Sequence, residues 1–148
     1  MKRRHKAYSR MDTAKSCSVT LRIASRDMEV DEITSAMGVA PSESHSIGDV
    51  ISSRSPTPRF RCESLWLLVF DVPEERPLEE HIDAFLTFAE QKKPELSGLS
   101  SKCDIEAFCC FSTFNGQGGY VLNHTLMQKM SATGIDFVFD LYLFDSED

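Results

Sequence analysis

The chain has 148 residues, 41% of them hydrophobic, and a formal net charge of −7. Its length predicts one domain that holds a hydrophobic core without disulfides or a structural metal, and its apolar content is too high for a disordered chain. The charge is unevenly placed. Residues 1–15 hold six basic residues and one acidic residue, a net charge of +5, whereas the remainder holds 10 basic and 22 acidic residues, a net charge of −12. An acidic body repels phosphate backbones, so no nucleic-acid function is expected.

Targeting and membrane signals are absent from the sequence. The longest continuous apolar stretch, Leu65 to Phe70, has six residues, whereas a membrane-spanning helix needs about 20. The N-terminal residues contain no apolar run of the kind that a signal peptide requires. The five cysteines are odd in number and form no CxxC pair, which argues against a disulfide framework and a zinc site. These features predict a cytoplasmic protein that does not enter a membrane and that needs no cofactor or metal.

The first third of the chain predicts a tail, a strand and a helix. Residues 1–16 show no periodicity and are expected to form a basic flexible tail ahead of a single domain over residues 17–148. Residues 18–25 alternate between apolar and polar side chains, as a half-buried strand does. Residues 31–38 predict a short helix that Asp31 caps and Gly38 ends. The apolar face of this helix is expected to contain Ile33, Ala36 and Met37.

The segment 42–62 is polar and is interrupted by two prolines. Two short edge pairings are expected within it, around residues 46–52 and 59–62. The following residues, 65–72, predict the strongest strand. Both of its faces are apolar, which is typical of a strand that is central in a sheet or covered on both sides.

Two helices and two strands are predicted in the second half of the chain. Pro77 opens a helix with apolar residues at helical spacing, and Pro94 ends or kinks it. Residues 104–112 predict a strand. The apolar positions of the helix are Leu78, Ile82, Phe85, Leu86 and Ala89. Those of the strand are Ile105, Ala107, Cys109 and Phe111.

A glycine-rich turn at residues 115–119 leads into a helix capped by Asn123, and residues 135–144 form the last strand. The apolar face of the helix is predicted to contain Leu126, Met127 and Met130. The inward face of the last strand is predicted to contain Phe137, Phe139, Leu141 and Leu143.

The element order is thus β-α-(β)-β-α-β-α-β. It predicts an α+β fold with a mostly antiparallel sheet of four to five strands and with helices packed mainly on one face, for which a ferredoxin-like variant is one arrangement.

No residue pattern states a catalytic chemistry. The glycine turn follows a strand and precedes a helix, as phosphate loops do, but it lacks both the GxGxxG spacing and the lysine of a P-loop, so an adaptable turn is favoured. A nucleophile pair of Cys110 and His124 is left open, although no local signature accompanies it. The four histidines form no HExxH or other ligand spacing. No catalytic residue and no metal ligand is therefore assigned, and an enzymatic role is disfavoured.

Two segments are the candidate binding surfaces. One is the arginine-bearing segment 42–62 together with the single tryptophan, although burial of this tryptophan in the core is the favoured interpretation. The other is the glycine turn. The candidate binding residues are Gly48, Asp49, Arg54, Arg59, Arg61, Trp66, Asn115 and Gly116.

The order of short motifs resembles that of the DUF4279 family of bacterial proteins of unassigned function. The resemblance spans about residues 18–144. It rests on the motifs Val19-Thr20-Leu21-Arg22-Ile23, Asp31-Glu32-Ile33-Thr34, Met37-Gly38-Val39, Pro41, Ile47-Gly48-Asp49, Ser64-Leu65-Trp66, Leu78-Glu79-Glu80-His81, Asn115-Gly116, Gly118-Gly119-Tyr120, Leu122, Leu126, Gly134 and Asp140-Leu141-Tyr142. The family more often has glycine where Leu65 stands. The resemblance supports the fold, implies a bacterial cytosolic setting and supplies no catalytic residue.

Two hypotheses about function follow. The first is a protein-interaction module, for example an immunity-type protein whose acidic body masks a basic toxin by electrostatic complementarity. The second is a small-molecule or anion-binding protein, or a minor enzyme, that uses the arginines of the segment 42–62. The sequence leaves the partner's identity and the oligomeric state open.

Overall fold

A computed structural model describes residues 15–52, 54, 56–113 and 116–143. Most of the predicted tail lies outside these residues, and the first strand begins at Lys15, inside its predicted range. The described residues form five strands and four helices. In chain order these are β1 (Lys15–Ser25), α1 (Val30–Met37), β2 (Glu43–His45), β3 (Ser64–Val69), α2 (Leu78–Gln91), α3 (Lys93–Leu99), β4 (Asp104–Thr113), α4 (His124–Ala132) and β5 (Asp136–Leu143).

The strands form one sheet in the order β2-β3-β1-β4-β5. Among the described strands, every pairing is antiparallel except that of β4 with β5, which is parallel. The predicted α+β fold is therefore confirmed. The elements from β1 to β4 follow the split βαβ order, with β3 inserted beside β1. The helix α4 then provides the crossover that a parallel pair of strands requires.

The core lies between one face of the sheet and the helices. Along β1, the side chains of Cys17, Val19, Leu21 and Ile23 point to this face, and each is at most 1% exposed. Trp66 of β3 lies opposite Ile23, and the buried positions of β4 lie opposite the other buried positions of β1. The alternation seen in the sequence thus becomes one continuous apolar layer.

The other face of the sheet is half-buried and carries no helix among the described residues. Strand β3 is internal to the sheet, as predicted, but its second apolar face looks toward this side. Leu65 and Leu67 are half-buried there and Val69 is exposed. Among the described residues, helices therefore cover only one face of β3, although both of its faces are apolar.

The ends and faces of several helices differ from the prediction. The N-cap of α1 is Glu29, not Asp31, because Glu29 and Glu32 form a reciprocal capping box. Ala36 is exposed instead of packing with Ile33 and Met37. Pro94 lies in the first turn of α3, where its missing N–H costs no hydrogen bond, so it starts a helix that follows α2 almost directly.

The last helix and strand bury less than predicted. Asn123 caps α4 as expected, and its side-chain oxygen accepts a hydrogen bond from the Leu126 N–H at 2.8 Å. Met127, however, is exposed. Leu141 and Leu143 are 52% and 57% exposed, although they lie on the helix side of the sheet. The reason is that β5 is an edge strand, and its second half runs past the described helices.

Candidate functional site

The described residues of the segment 46–62, which we call the arm, continue the pairing of β2 with β3 as a hairpin. His45 lies opposite Leu65 at the end of β2. Five residues farther along each strand, Val50 lies opposite Phe60 in an antiparallel bridge. The register is unchanged over this distance, so the arm is an outward extension of the sheet edge. The predicted pairings around 46–52 and 59–62 meet in this bridge, whereas the strand β2 itself lies just before them.

Backbone hydrogen bonds hold the two sides of the arm together. The Arg61 N–H donates to the Asp49 carbonyl at 2.8 Å, and the Ile51 N–H donates to the Arg59 carbonyl at 2.8 Å. The Asp49 carboxylate accepts a hydrogen bond from the Ser46 N–H at 2.8 Å. Gly48 has a φ of +85°, in the left-handed region that favours glycine. Gly48 and Asp49, two of the predicted binding residues, thus shape the base of the arm.

Large apolar side chains are exposed on the arm. Val50 is 54%, Ile51 45% and Phe60 58% exposed. Arg54 and Arg59 are exposed beside them, and neither makes an ion pair with another described residue. Val50 and Phe60 share one face of the hairpin, whereas Ile51 and Arg59, each one position along the chain from them, point to the other face. Exposed aromatic and arginine side chains are typical of protein-contact surfaces. The sequence analysis selected the arginines and missed the three apolar residues, because a polar segment without periodicity gave no reason to expect them on one hairpin.

Charged side chains gather at the base of the arm. Arg22 of β1 contacts Glu106 of β4 at 3.2 Å and Glu63 at 3.5 Å. Arg61 is half-buried. Burial, and secondarily the positive charge of Arg61, lower the pKa of His45 below its usual value. The Arg22 cluster links the arm to the central strands on the open face of the sheet.

The other predicted binding residues lie elsewhere. Trp66 is fully buried, and its indole N–H donates to the Thr34 hydroxyl at 3.1 Å, so it packs in the core and not on the arm. Asn115 lies outside the described residues. Gly116 follows the C-terminal end of β4, at the opposite end of the sheet from the arm. The structure therefore separates the two candidate surfaces.

The glycine turn closes the core instead of forming an open loop. A Cβ atom on Gly118 would overlap the Thr113 methyl group and would lie 2.9 Å from Cζ of Phe111. Tyr120 stacks on Phe139 with ring centroids 5.5 Å apart. The Val121 N–H donates to the Glu79 carboxylate at 2.6 Å. These contacts favour a turn over a phosphate-binding loop, as expected, but the turn is closely packed and not adaptable, because its backbone at Gly118 lies directly on buried side chains.

A groove of about 1320 Å³ lies at the end of the sheet where β4 and β5 begin. Its lining comes from α2, from α3, from the end of α4 and from the first residues of β4 and β5, together with Arg22 of β1 and Glu63 at the base of the arm. Apolar side chains of this lining are Leu86, Leu96, Ile105 and Ile135. Six acidic side chains also line it, against the three basic side chains of Arg22, Lys93 and Lys129, a net charge of −3. Sequence reasoning had no signal for this groove, because separate elements each contribute only a few residues.

The positions of Cys110 and His124 in the fold disfavour their action as a nucleophile pair. Cys110 points to the open face of the sheet, opposite Ser18 and Asp140, whereas α4 packs on the other face through Leu126 and Met130. Burial, and secondarily the charge of Asp140, raise the pKa of Cys110. Burial raises the pKa of Cys109 to about 12. Both thiols therefore stay protonated near neutral pH, which disfavours nucleophilic chemistry. Within the described ranges, no three His, Cys, Asp or Glu side chains are grouped as metal ligands.

His81 is a buried titratable group on the inner face of α2. It is 2% exposed, and its Nε2 has no hydrogen-bond partner among the described residues. Burial lowers its pKa from the usual 6.5, and contacts with the backbone of Arg76 and Pro73 oppose this only in part. The folded protein therefore keeps the imidazole neutral at a pH where the unfolded chain already protonates it.

We expect the free energy of unfolding to fall as the pH is lowered from about 7 to about 5, because the unfolded chain then binds more protons. The contribution of His81 has a slope no steeper than about 1.4 kcal/mol per pH unit. Urea unfolding of the His81→Phe variant at a series of pH values should show a flatter dependence. The pKa of His45 is also lowered. A His45→Gln variant therefore measures the part of the pH dependence of stability that His45 contributes. A His81→Phe variant that keeps the full wild-type slope would contradict the assignment.

Comparison with known proteins establishes the family. The family model described as "Domain of unknown function (DUF4279)" matches residues 15–144. The chain belongs to the DUF4279 family. This match covers every described strand and helix, and it includes both the arm and the groove. No curated protein and no solved structure matches the chain. Among the described residues of this DUF4279 domain, no helix has the length and apolar character needed to cross a membrane.

Proposed function

We propose that this DUF4279 domain is a cytoplasmic protein-interaction module, without a catalytic activity of its own, and that the arm is its contact surface. The observation that carries the proposal is the exposure of Val50, Ile51 and Phe60 on a hairpin that also presents Arg54 and Arg59. Burying these side chains against a partner would remove apolar area from water, at roughly 25 cal/mol per Å². The arginines would add directional contacts to carboxylates of the partner.

The way the arm is built supports this proposal. Backbone hydrogen bonds and the unchanged register join residues 49–51 to residues 59–61 before a partner arrives. Preorganisation lowers the entropy cost of binding. An immunity-type role, in which the acidic body also masks a basic toxin, is the specific form of this proposal that the net charge of −12 outside residues 1–15 supports.

Affinity capture with three forms of the tagged chain tests the proposal. In a lysate of the source organism, the wild type should retain a stoichiometric partner. Phe60→Asp should retain at least about 30-fold less, because removal of a central aromatic contact costs about 2 kcal/mol or more. Met127→Gln is the matched control, since Met127 is another exposed apolar residue but lies on α4, and this variant should bind as the wild type does.

The competing proposal is that Arg54, Arg59 and Arg61 bind a small anion. Thermal unfolding with millimolar phosphate separates the two ideas. A ligand at 100 times its dissociation constant adds about 2.7 kcal/mol of stability. A phosphate-dependent rise in Tm that is lost in Arg59→Gln, together with the absence of any captured protein, would overturn the interaction module in favour of anion binding.

A further inference from the structure

The arm and the groove lie at the same end of the molecule, with the arm beside β2 and β3 and most of the groove beside β4 and β5. The arm leaves β3 at Ser64, which lies opposite Ser25 at the end of β1. The groove includes Asp104, which lies opposite the neighbouring Ala24, and Asp136, the first residue of β5. One end of the sheet thus presents a projecting hairpin beside β2 and β3 and a recess that extends from Arg22 and Glu63, at the base of this hairpin, to β4 and β5.

The two features are complementary in charge and polarity. The arm has three arginines and one aspartate, a net charge of +2 in an otherwise acidic body. The groove lining has a net charge of −3, and Asp83 and Glu90 are among its exposed acidic residues. The arm exposes three large apolar residues, and the groove has an apolar lining to receive them. No arm residue lines the groove of its own chain.

We propose that two copies of this chain associate end to end about a two-fold axis perpendicular to the sheet, with the arm of each copy seated in the groove of the other. This inference rests on the proposed function of the arm as a protein-contact surface, and it names a second copy as one partner. The symmetry makes the two contacts equivalent and closes the assembly at two chains.

The dimensions of the two features permit this arrangement. Adjacent strands lie about 4.8 Å apart, so the four spacings from β2 to β5 span roughly 19 Å. Residues 46–49 form a turn at the base of the arm, and the paired residues Val50 and Phe60 lie beyond it. Because the axis is perpendicular to the sheet, it places the groove of one copy opposite the arm of the other, where Arg54 and Arg59 would meet carboxylates such as Asp83 and Glu90.

Sedimentation equilibrium of the full chain tests the inference through charge reversal. The wild type should form dimers that weaken as salt rises from about 0.05 M to about 0.5 M, because salt screens exposed charges. The arm variant Arg54→Glu/Arg59→Glu and the groove variant Asp83→Lys/Glu90→Lys should each raise the dimer Kd by about 30-fold or more. A single chain that carries all four changes should recover the wild-type Kd within about threefold, because the attraction is restored with reversed signs.

The variant Asp71→Lys/Glu75→Lys is the matched control, because it makes the same change of charge at exposed residues outside the groove lining. It should dimerise as the wild type does. A wild type that stays monomeric at about 100 μM and low salt, where even a weak transient interface would be populated, overturns the inference. Failure of the chain with all four substitutions to recover the dimer also overturns the inference. If the chain is monomeric while Phe60→Asp still loses a captured partner, the end-to-end dimer is wrong and the proposed function stands.

Discussion

The Trp66→Ala variant should lose about 3–5 kcal/mol of its free energy of unfolding, the range for truncation of a large buried aromatic residue. Trp66 is completely buried in the layer between the sheet and the helices. It lies opposite Ile23 on β1 and Ser44 on β2, and its indole N–H bonds to Thr34 of α1. Its removal would leave a cavity where β2, β3 and α1 meet, close to the base of the arm. Since domains of this size have a total stability of about 5–15 kcal/mol, the variant should unfold at much lower urea concentrations.

Two further variants separate the packing of Trp66 from its hydrogen bond. Thr34→Val removes the acceptor and should cost about 1–3 kcal/mol, because it leaves the buried indole N–H unsatisfied. Trp66→Phe keeps most of the apolar volume and should lie between the wild type and the alanine variant. Far-UV circular dichroism is the measurement of choice, because Trp66 is the single tryptophan and its fluorescence is lost with it. A Trp66→Ala variant within about 1 kcal/mol of the wild type would show that the residue is not the core contact described above.

The Gly118→Ala variant should destabilise the protein by about 1–3 kcal/mol, the usual cost of adding atoms to a closely packed site. The added methyl group would overlap the side chain of Thr113 and press on the ring of Phe111. Both of those residues are buried in β4. The backbone of the turn would have to lift, and this movement would disturb the stacking of Tyr120 on Phe139.

The Gly98→Ala variant is a control for which the expected change in the free energy of unfolding has the opposite sign. Gly98 lies in α3, and a methyl group there would meet nothing within 4 Å. Alanine is favoured over glycine in a helix by about 0.5–1 kcal/mol, so this variant should be slightly more stable than the wild type. Urea unfolding followed by Trp66 fluorescence measures both variants. Equal effects in the two variants would mean that the close approach at Gly118 is relieved at no cost.

Local chemistry in the sequence was sufficient for most of the elements. The alternation of Val19, Leu21 and Ile23 defined the buried face of β1 correctly, because side chains on a strand repeat with a period of two. Asn123 marked the start of α4, because its side chain satisfies an N–H group that the helix leaves free. The α+β class followed from the order of these elements. Each of these features depends on residues that are close together in the chain.

The interpretation of Trp66 shows where local chemistry stops being sufficient. Its strand was apolar on both faces, so the sequence favoured a buried tryptophan but left open one that marks a partner surface. The pairing of β1 with β3 and the contact with Thr34 place it inside the core. Leu141 and Leu143 show the reverse case, because their alternation predicted burial and the edge position of β5 left them exposed.

The sequence by itself determined most of the segments that become strands and helices, the apolar face of most of them, and the acidic body behind a basic N-terminal segment. Only the tertiary structure decided that the segment 46–62 continues the β2–β3 pairing as a hairpin, that Phe60 and Val50 meet on it, and that an acidic groove lies at the same end of the sheet. The physical reason is that periodicity and capping are encoded within about one element. The covering of an apolar face, or the assembly of a groove from several elements, depends instead on contacts between residues far apart in the chain.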